Sequence, residues 1–181
     1  MNKEILKAIE LAKKNNNFIG IYRDELYAND YQGFITNIGK TLLIMQKEND
    51  FTLDGYVAMR LEDITYTEVI DDNKFIKKVI SGEKLIQNVT PPKLTSADSF
   101  QELFSGILAT FGGWLTVGID SPDGQGFFMG TVTRMDSNYM YMKQIDAMGI
   151  WNKDEITVPL QDIATVTFGD RYTEVYRKYA K

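Results

Sequence analysis

Cysteine and histidine are both absent from this sequence of 181 residues. Without cysteine the chain forms no disulfide and carries no thiol nucleophile, and without histidine it has no imidazole for acid–base catalysis. The two absences together also exclude zinc sites built from Cys and His ligands. Because disulfides mark oxidising compartments, a chain without cysteine is typical of the reducing cell interior, and the sequence predicts a cytoplasmic protein.

An excess of positive charge is also lacking. Lys and Arg number 20 against 25 Asp and Glu, which gives a formal net charge of -5. A negative balance opposes a broad surface for the phosphates of nucleic acids. The hydrophobic fraction of 44% is too high for a disordered chain, so one medium or two small globular domains are expected.

Long hydrophobic segments are few. The first residues scatter charges and have no apolar segment of the kind found in a signal peptide. One uncharged run, residues 103–119, approaches the length of a transmembrane helix, but Gly106, Gly112 and Gly113 interrupt it. The run fits either a membrane span or a helix followed by a strand, and the glycines favour the second interpretation.

Hydrophobic periodicity predicts two helices. Apolar residues recur at helical spacing over residues 3–15, and a second apolar stripe covers residues 100–111 before two glycines. Ser96 or Asp98 is the expected N-cap of the second helix. The aromatic and charged segment 172–179 fits either a short helix or an edge strand.

β-rich segments separated by turn residues predict ten strands, five before and five after the second helix. They cover residues 18–22, 33–38, 41–47, 51–60, 65–70, 114–119, 125–135, 139–145, 150–158 and 164–168. Turns are expected at residues 120–124 and, within the ninth strand, at residues 152–154. Residues 75–80 fit a short strand or a helical turn, and Pro91 and Pro92 indicate an extended linker.

The two groups of strands share a sequence pattern. Residues 33–45 resemble residues 130–142, since in both a glycine opens a strand, a polar turn follows and a second strand begins. The phrase Leu-Glu-Asp-Ile at 61–64 returns as Leu-Gln-Asp-Ile at 160–163. The shared order of helix, strands and closing phrase predicts an internal duplication.

A helix followed by five bent strands, with a tight turn before the last strand, resembles the Sm/LSm-like small barrels of the SH3-like group. The first Sm pattern is a glycine and a hydrophobic residue, then an aspartate at the turn and an aromatic residue. Gly130, Val132, Asp136 and Tyr139 follow this pattern, and residues 59–64 (Met-Arg-Leu-Glu-Asp-Ile) echo the second Sm pattern. The resemblance implies two small barrels in tandem.

The sequence departs from the family where Sm-like proteins bind RNA. The first half has Gly39 in place of the turn aspartate, and Leu43 and Met140 stand where the family has an asparagine. The family's Arg-Gly pair is Arg60-Leu61 in one half and Pro159-Leu160 in the other. Because an apolar side chain cannot hydrogen-bond a base edge, the resemblance implies the barrel fold without the uridine-type pocket.

Five residues form a candidate binding surface: Tyr139, Tyr141, Trp151, Arg60 and Arg134. Strand alternation predicts that Tyr139 and Tyr141 share one face, with Trp151 on the neighbouring hairpin. Aromatic rings with nearby cations suit peptide packing or base stacking. The alternative is that these rings belong to the barrel core and its edge.

No sequence pattern indicates a catalytic residue, a cofactor or a metal ion. Asp120, Asp123 and Asp136 lack the alternating ligands of a calcium loop and are typical of turns. Residues 124–130 contain three glycines, but because no helix follows them a hairpin is expected rather than a phosphate-binding loop. The carboxylates of Asp71 and Asp72 likewise fit a solvated turn.

The sequence therefore predicts a mostly β (α+β) fold of two small five-stranded SH3/Sm-like barrels, each preceded by an α-helix. Residues 1–80 would form the first unit, 81–95 a linker, and 96–181 the second unit, with the second helix packed between them. A non-enzymatic adaptor that binds a protein or peptide is favoured, without cofactor, metal or membrane, and edge strands offer a route to oligomers. The alternatives are an RNA or single-stranded nucleic-acid binder with an atypical Sm-like site, and an enzyme that uses carboxylates and a metal.

Overall fold

The structure, a computed structural model, describes residues 2–24, 26, 30–70, 73–94, 96–121 and 124–181. Asp71, Asp72 and Asp123, which figured in the sequence predictions, lie outside these ranges. The α-helices are α1 Lys3–Asn15, α2 Lys74–Gly82, α3 Leu85–Asn88, α4 Phe100–Phe111 and α5 Arg171–Tyr179. The strands are β1 Ile19–Tyr22, β2 Asp30–Ile38, β3 Leu42–Asn49, β4 Thr52–Arg60, β5 Tyr66–Val69, β6 Trp114–Ser121, β7 Gly124–Met135, β8 Tyr139–Ile145, β9 Trp151–Pro159 and β10 Ile163–Phe168.

All ten strands form one antiparallel sheet in the order β5-β1-β2-β3-β4-β10-β6-β7-β8-β9. Strand β4 pairs with β10, where Ala58 lies opposite Val166, so the strands before and after α4 are joined. The sheet is not closed into a barrel. The mostly β fold is confirmed, but the prediction of tandemly duplicated Sm-like barrels is wrong, because the edge of β4 is paired by β10 rather than by a strand of its own group.

The glycines that open the two similar segments have a local packing reason. A Cβ atom on Gly33 would collide with the carbonyl oxygen of Gln46, and a Cβ on Gly130 with that of Lys143. Their φ angles of 154° and 159° are also unusual for residues with a side chain. Close approach of neighbouring strand backbones therefore requires glycine at both positions.

Helix α4 covers the face of the sheet that holds the largest hydrophobic cluster. It begins at the N-cap Ser99, whose hydroxyl accepts a hydrogen bond from Glu102 N at 3.2 Å, and not at Ser96 or Asp98. The helix ends at Gly112, whose φ of 64° only glycine adopts without strain. Its cluster takes residues from strands on both sides of the β4–β10 pair. The fully buried members include Leu42, Ile44, Ala58, Leu103, Ile107, Leu115, Val117, Met140, Met142 and Val166.

One local prediction is wrong, and two alternatives that the sequence left open are decided in favour of a helix. Residues 152–154 form no turn, because β9 continues through them as one extended strand. Residues 75–80 belong to the helix α2, which Asn73 caps by accepting hydrogen bonds from Phe75 N and Ile76 N. The C-terminal segment is the helix α5 rather than an edge strand. The division into units 1–80 and 96–181 remains a prediction.

The uncharged run at residues 103–119 is divided between α4 and β6, as the glycines favoured. Among the described residues, no helix combines the length and hydrophobicity needed to cross a membrane.

Candidate binding surface on strands β7 to β9

Strand β8 separates two kinds of side chain. Met140 and Met142 are fully buried in the main cluster, whereas Tyr139 is 42% exposed and Tyr141 is half-buried on the opposite face. Alternation along an extended strand explains this division. The predicted shared face of the two tyrosines is thus present, and it points away from the core. We call Arg134, Tyr139, Tyr141 and Lys143 the aromatic face.

Arg134 lies against Tyr141 on the neighbouring strand. The two residues are register partners of β7 and β8, and the guanidinium carbon is 3.4 Å from the centroid of the tyrosine ring. Arg134 Nε also lies 3.8 Å from Glu155 Oε2 of β9, in a pair whose side chains are both largely exposed. Contacts of this kind contribute about 0.5–1 kcal/mol at the surface. They orient a flat guanidinium group whose charge is partly neutralised.

Asp136 holds the turn between β7 and β8. Its Oδ1 accepts hydrogen bonds from Asn138 N and Tyr139 N, each at 2.9 Å, and its Oδ2 accepts one from the Tyr141 hydroxyl at 3.0 Å. The two backbone donors are the main reason that the pKa of Asp136 is lower than its usual value. The aspartate therefore fixes both the turn and the tyrosine as an anion, which is the turn role expected from the sequence.

Trp151 belongs to a separate cluster on this side of the sheet. Its ring centroid lies 5.2 Å from that of Trp114, and the pair packs with Met129, Ile145 and residues of α5. Lys143 Nζ lies 5.4 Å from the Trp151 ring and links the cluster to the aromatic face. Trp151 is thus half-buried under the C-terminal helix, and its ring is less accessible than that of Tyr139.

Arg60 acts as a clamp between β4 and the turn before β10. Its guanidinium donates to the carbonyl oxygens of Leu160, of Gln161 at 2.9 Å and of Ile163 at 2.5 Å. It also lies 3.5 Å from a carboxylate oxygen of Asp63, and its side chain is 17% exposed. Burial raises the pKa of Asp63, and Arg60 opposes that increase. Most of the donors of Arg60 are therefore used inside the protein.

The ring beneath the Arg60 guanidinium is Phe100 of α4, at 5.2 Å, rather than a tyrosine of β8. Of the five predicted binding residues, the structure brings together Tyr139, Tyr141 and Arg134. Trp151 lies beside them in the cluster that it forms with Trp114, whereas Arg60 binds the turn before β10.

Strand β9 forms one edge of the sheet, although the sequence had predicted a turn within it. It pairs with β8 alone among the described strands, and Asn152, Lys153, Asp154 and Glu155 are exposed. Its outer side therefore presents backbone N–H and C=O groups without a strand partner. Because exposed charged residues are common on edge strands, these four residues fit a strand as well as a turn.

A polar cavity lies at the end of β9, next to Tyr139. Its volume is about 360 Å³, and its lining comprises Ser137, Asn138, Tyr139, Pro159, Leu160 and Gln161. Leu160 N donates a hydrogen bond to Asn138 O at 2.8 Å, which ties the two walls together. No sequence pattern indicated this cavity, because its walls are about twenty residues apart in the chain.

A second corner of the sheet, between the β2–β3 turn and the end of β4, has a topology similar to that of the cavity beside Tyr139. This second corner is filled by the chain itself. Asp98 Oδ1 accepts a hydrogen bond from Lys40 N at 3.0 Å, and Asp98 O accepts one from the Thr41 hydroxyl at 2.7 Å. The backbone hydrogen bond from Lys40 is the first cause of the lowered pKa of Asp98. A Cβ on Gly39 would collide with Ala97 O. The segment that precedes α4 thus fills that corner, while the cavity beside Tyr139 is open.

No protein-family model, curated protein or solved structure matches the chain. The functional inference therefore depends on the surface described above. Among the described residues, no three acidic side chains gather into a cluster that could hold a metal ion.

Proposed function

We propose that this protein is a non-enzymatic binding module that recognises an extended peptide segment of a partner protein. The segment adds to the outer side of β9 as a further strand. The observation that carries the proposal is an exposed edge strand next to an aromatic face, with a polar cavity at its end. In such complexes main-chain hydrogen bonds supply affinity, and side-chain contacts supply specificity.

The aromatic face favours a peptide with large apolar or planar side chains. Tyr139 and Tyr141 offer ring surface beside β9, and Arg134 covers one face of Tyr141 with a planar group. Tyrosine and arginine are enriched at the sites that dominate the free energy of protein–protein binding. The Tyr141 ring is already oriented by its hydrogen bond to Asp136, so it loses little conformational entropy on binding.

The cavity favours a neutral polar group of the partner. Its polar side chains are Ser137, Asn138 and Gln161, which carry no charge. At the corner beside the β2–β3 turn, the hydrogen bond from the turn is accepted by Asp98, which lies outside that turn. At the cavity, Asp136 of the β7–β8 turn already accepts the corresponding hydrogen bond. A backbone amide or a neutral polar side chain therefore suits the cavity better than a phosphate or a carboxylate.

Charge separates this proposal from nucleic-acid binding at the same surface. Arg134 is paired with Glu155, and Asp136 is an anion two residues away in sequence. Phosphates would meet the two carboxylates of Asp136 and Glu155 beside the two cations Arg134 and Lys143, so the surface has no excess positive charge to bind a nucleic-acid backbone. The alternative of an atypical RNA site on β8 remains a prediction that the same experiment tests.

The experiment selects peptides from a random extended-peptide library on the immobilised protein and measures their affinity by fluorescence anisotropy. Tyr141→Ala and Tyr139→Ala should each weaken a selected peptide by about five-fold or more. N-methylation of alternate peptide residues should abolish binding, because strand addition uses every second N–H. Hydrogen exchange should show slower exchange in β9 when the peptide is bound.

The matched control is Tyr66→Ala, since Tyr66 is a 55% exposed tyrosine on β5, the other edge of the sheet. Its affinity for the peptide should equal that of the wild type. Failure to select any peptide, or loss of affinity in Tyr66→Ala with none in Tyr141→Ala, would contradict the proposal. Selective binding of oligonucleotides that depends on Tyr141 would favour the RNA alternative instead.

A further inference from the structure

Helix α5 has one face packed on the sheet and one face open to solvent. Thr173 is buried, and Tyr176 and Ala180 pack with the two tryptophans of the chain. On the open side, Tyr172 is 46% and Tyr179 is 64% exposed. Arg171 and Lys178 are also exposed and are the immediate sequence neighbours of these two tyrosines.

Phe127 of β7 extends this row of rings. It is 48% exposed, and its ring centroid lies 6.5 Å from that of Tyr172, which in turn lies 5.1 Å from that of Tyr176. A strand and a helix that are distant in sequence thus present aromatic rings side by side. We call Phe127, Arg171, Tyr172, Lys178 and Tyr179 the α5 surface.

The charge of this segment is opposite to that of the rest of the chain. Residues 171–181 contain four basic residues and one acidic residue, a formal charge of +3 that leaves -8 for residues 1–170. Within the described part of the chain, Arg177 is the only one of these four basic residues that forms an ion pair. Its guanidinium lies 3.4 Å from the Glu174 carboxylate. Lys178 Nζ lies 5.1 Å from the Tyr179 ring. Lys178 therefore places a positive charge beside an exposed ring, whereas at the start of the helix Arg171 N donates a hydrogen bond to Asp54 Oδ1 at 2.7 Å.

Contacts near both ends anchor the backbone of the helix on the sheet, although they do not fix the exposed side chains. The carboxylate of Asp170, its buried N-cap, accepts from Thr173 N at 3.0 Å and lies 3.4 Å from Lys47 Nζ. At the other end, the Tyr176 hydroxyl donates to Ala147 O at 3.2 Å. These contacts tie α5 to the sheet at both ends, so its backbone keeps a fixed position.

We propose that the α5 surface binds single-stranded nucleic acid. Exposed rings offer platforms on which bases stack whatever their sequence, and adjacent cations attract the phosphates between them. The positive charge of residues 171–181 suits a polyanion at this surface. A lipid surface is less suited, because the apolar side of α5 is already packed against the Trp114 and Trp151 cluster.

This site is separate from the peptide surface on β9, so either proposal can fail without the other. The experiment measures fluorescence anisotropy of a labelled oligothymidylate at low salt, with an abasic oligonucleotide of the same length as a probe of charge alone. The oligothymidylate should bind more tightly. Tyr172→Ala and Tyr179→Ala should each weaken it roughly 5- to 150-fold, the range for loss of one base–aromatic stack.

Two further variants test the location and the role of charge. Lys178→Gln should lower the slope of log affinity against log salt concentration by about 0.7, the value for one phosphate contact on a single strand. Tyr66→Ala, a control with an equally exposed tyrosine, should bind like the wild type. Because the replaced side chains are exposed, circular dichroism should show unchanged folding in every variant. Three results would overturn the proposal. They are absence of binding at low salt, equal affinity for the abasic probe, and loss of affinity in Tyr141→Ala rather than in Tyr172→Ala.

Discussion

Replacing Arg60 by methionine should lower the free energy of unfolding by about 3–5 kcal/mol and leave the aromatic face intact. The methionine keeps an apolar stem over Phe100 but removes every hydrogen bond of the guanidinium. The contacts to the carbonyls of Leu160 and Ile163 are partly buried. A hydrogen bond from a charged donor contributes about 1.5–3 kcal/mol, and two of them account for the expected loss.

The carboxylate of Asp63 adds to this cost. Without Arg60 it loses a partner that opposes the increase of its pKa by burial. Because this pair is only partly buried, its loss is a part of the expected total of about 3–5 kcal/mol and costs less than the loss of one partner from a fully buried ion pair. Since single domains have a total stability of about 5–15 kcal/mol, the change is large and easily measured.

The assay is urea unfolding followed by far-ultraviolet circular dichroism, with Arg134→Met as the matched control. Both arginines lie over an aromatic ring, but the Arg134 side chain is 61% exposed and its ion pair is long. Its replacement should cost no more than about 1 kcal/mol. If Arg60→Met costs no more than Arg134→Met, the clamp assigned to Arg60 is wrong.

Two further changes test the turns and strands that build the surface. Gly130→Ala should destabilise the protein by about 1–3 kcal/mol, because its Cβ would meet the backbone of a neighbouring strand. The measurement is thermal unfolding, and the control Gly82→Ala, whose new Cβ would lie in open space, should cost nothing. Equal costs for the two variants would contradict the packing reason. The stability that Asp136 contributes should be fully present above its unfolded pKa of about 3.9 and be lost as pH falls through its lower native pKa. Urea unfolding from pH 6 to pH 2 should therefore show Asp136→Asn less stable than the wild type at the upper end only, and a constant difference would refute this role.

The local elements were largely predictable from the sequence. The bounds of α1 agree with the prediction, and those of β8 do too, because amphipathic periodicity and turn residues act over a few positions. The end of α4 at two glycines was equally clear. The N-cap was assigned to the wrong residue, since Ser96, Asp98 and Ser99 are all good caps and only the chain path selects one.

The arrangement of the sheet could not be predicted in the same way. Whether five strands close on themselves or continue into a larger sheet depends on the β4–β10 pair, whose residues are about a hundred positions apart. The contacts of Arg60 could not be predicted for the same reason, because its carbonyl acceptors lie at Leu160 to Ile163. The edge position of β9 followed only from the sheet order, whereas its charged residues alone indicated a turn.

The pair formed by Trp114 and Trp151 has a consequence for spectroscopy, because the sequence contains only these two tryptophans. Both indoles lie where β6, β9 and α5 meet, with their rings in contact distance. Intrinsic fluorescence therefore reports on one end of the sheet and is blind to fraying of α1 or β5. Two indoles held this close also couple electronically, so a paired positive and negative band in the far-ultraviolet dichroism should disappear when β6 and β9 separate at this end of the sheet.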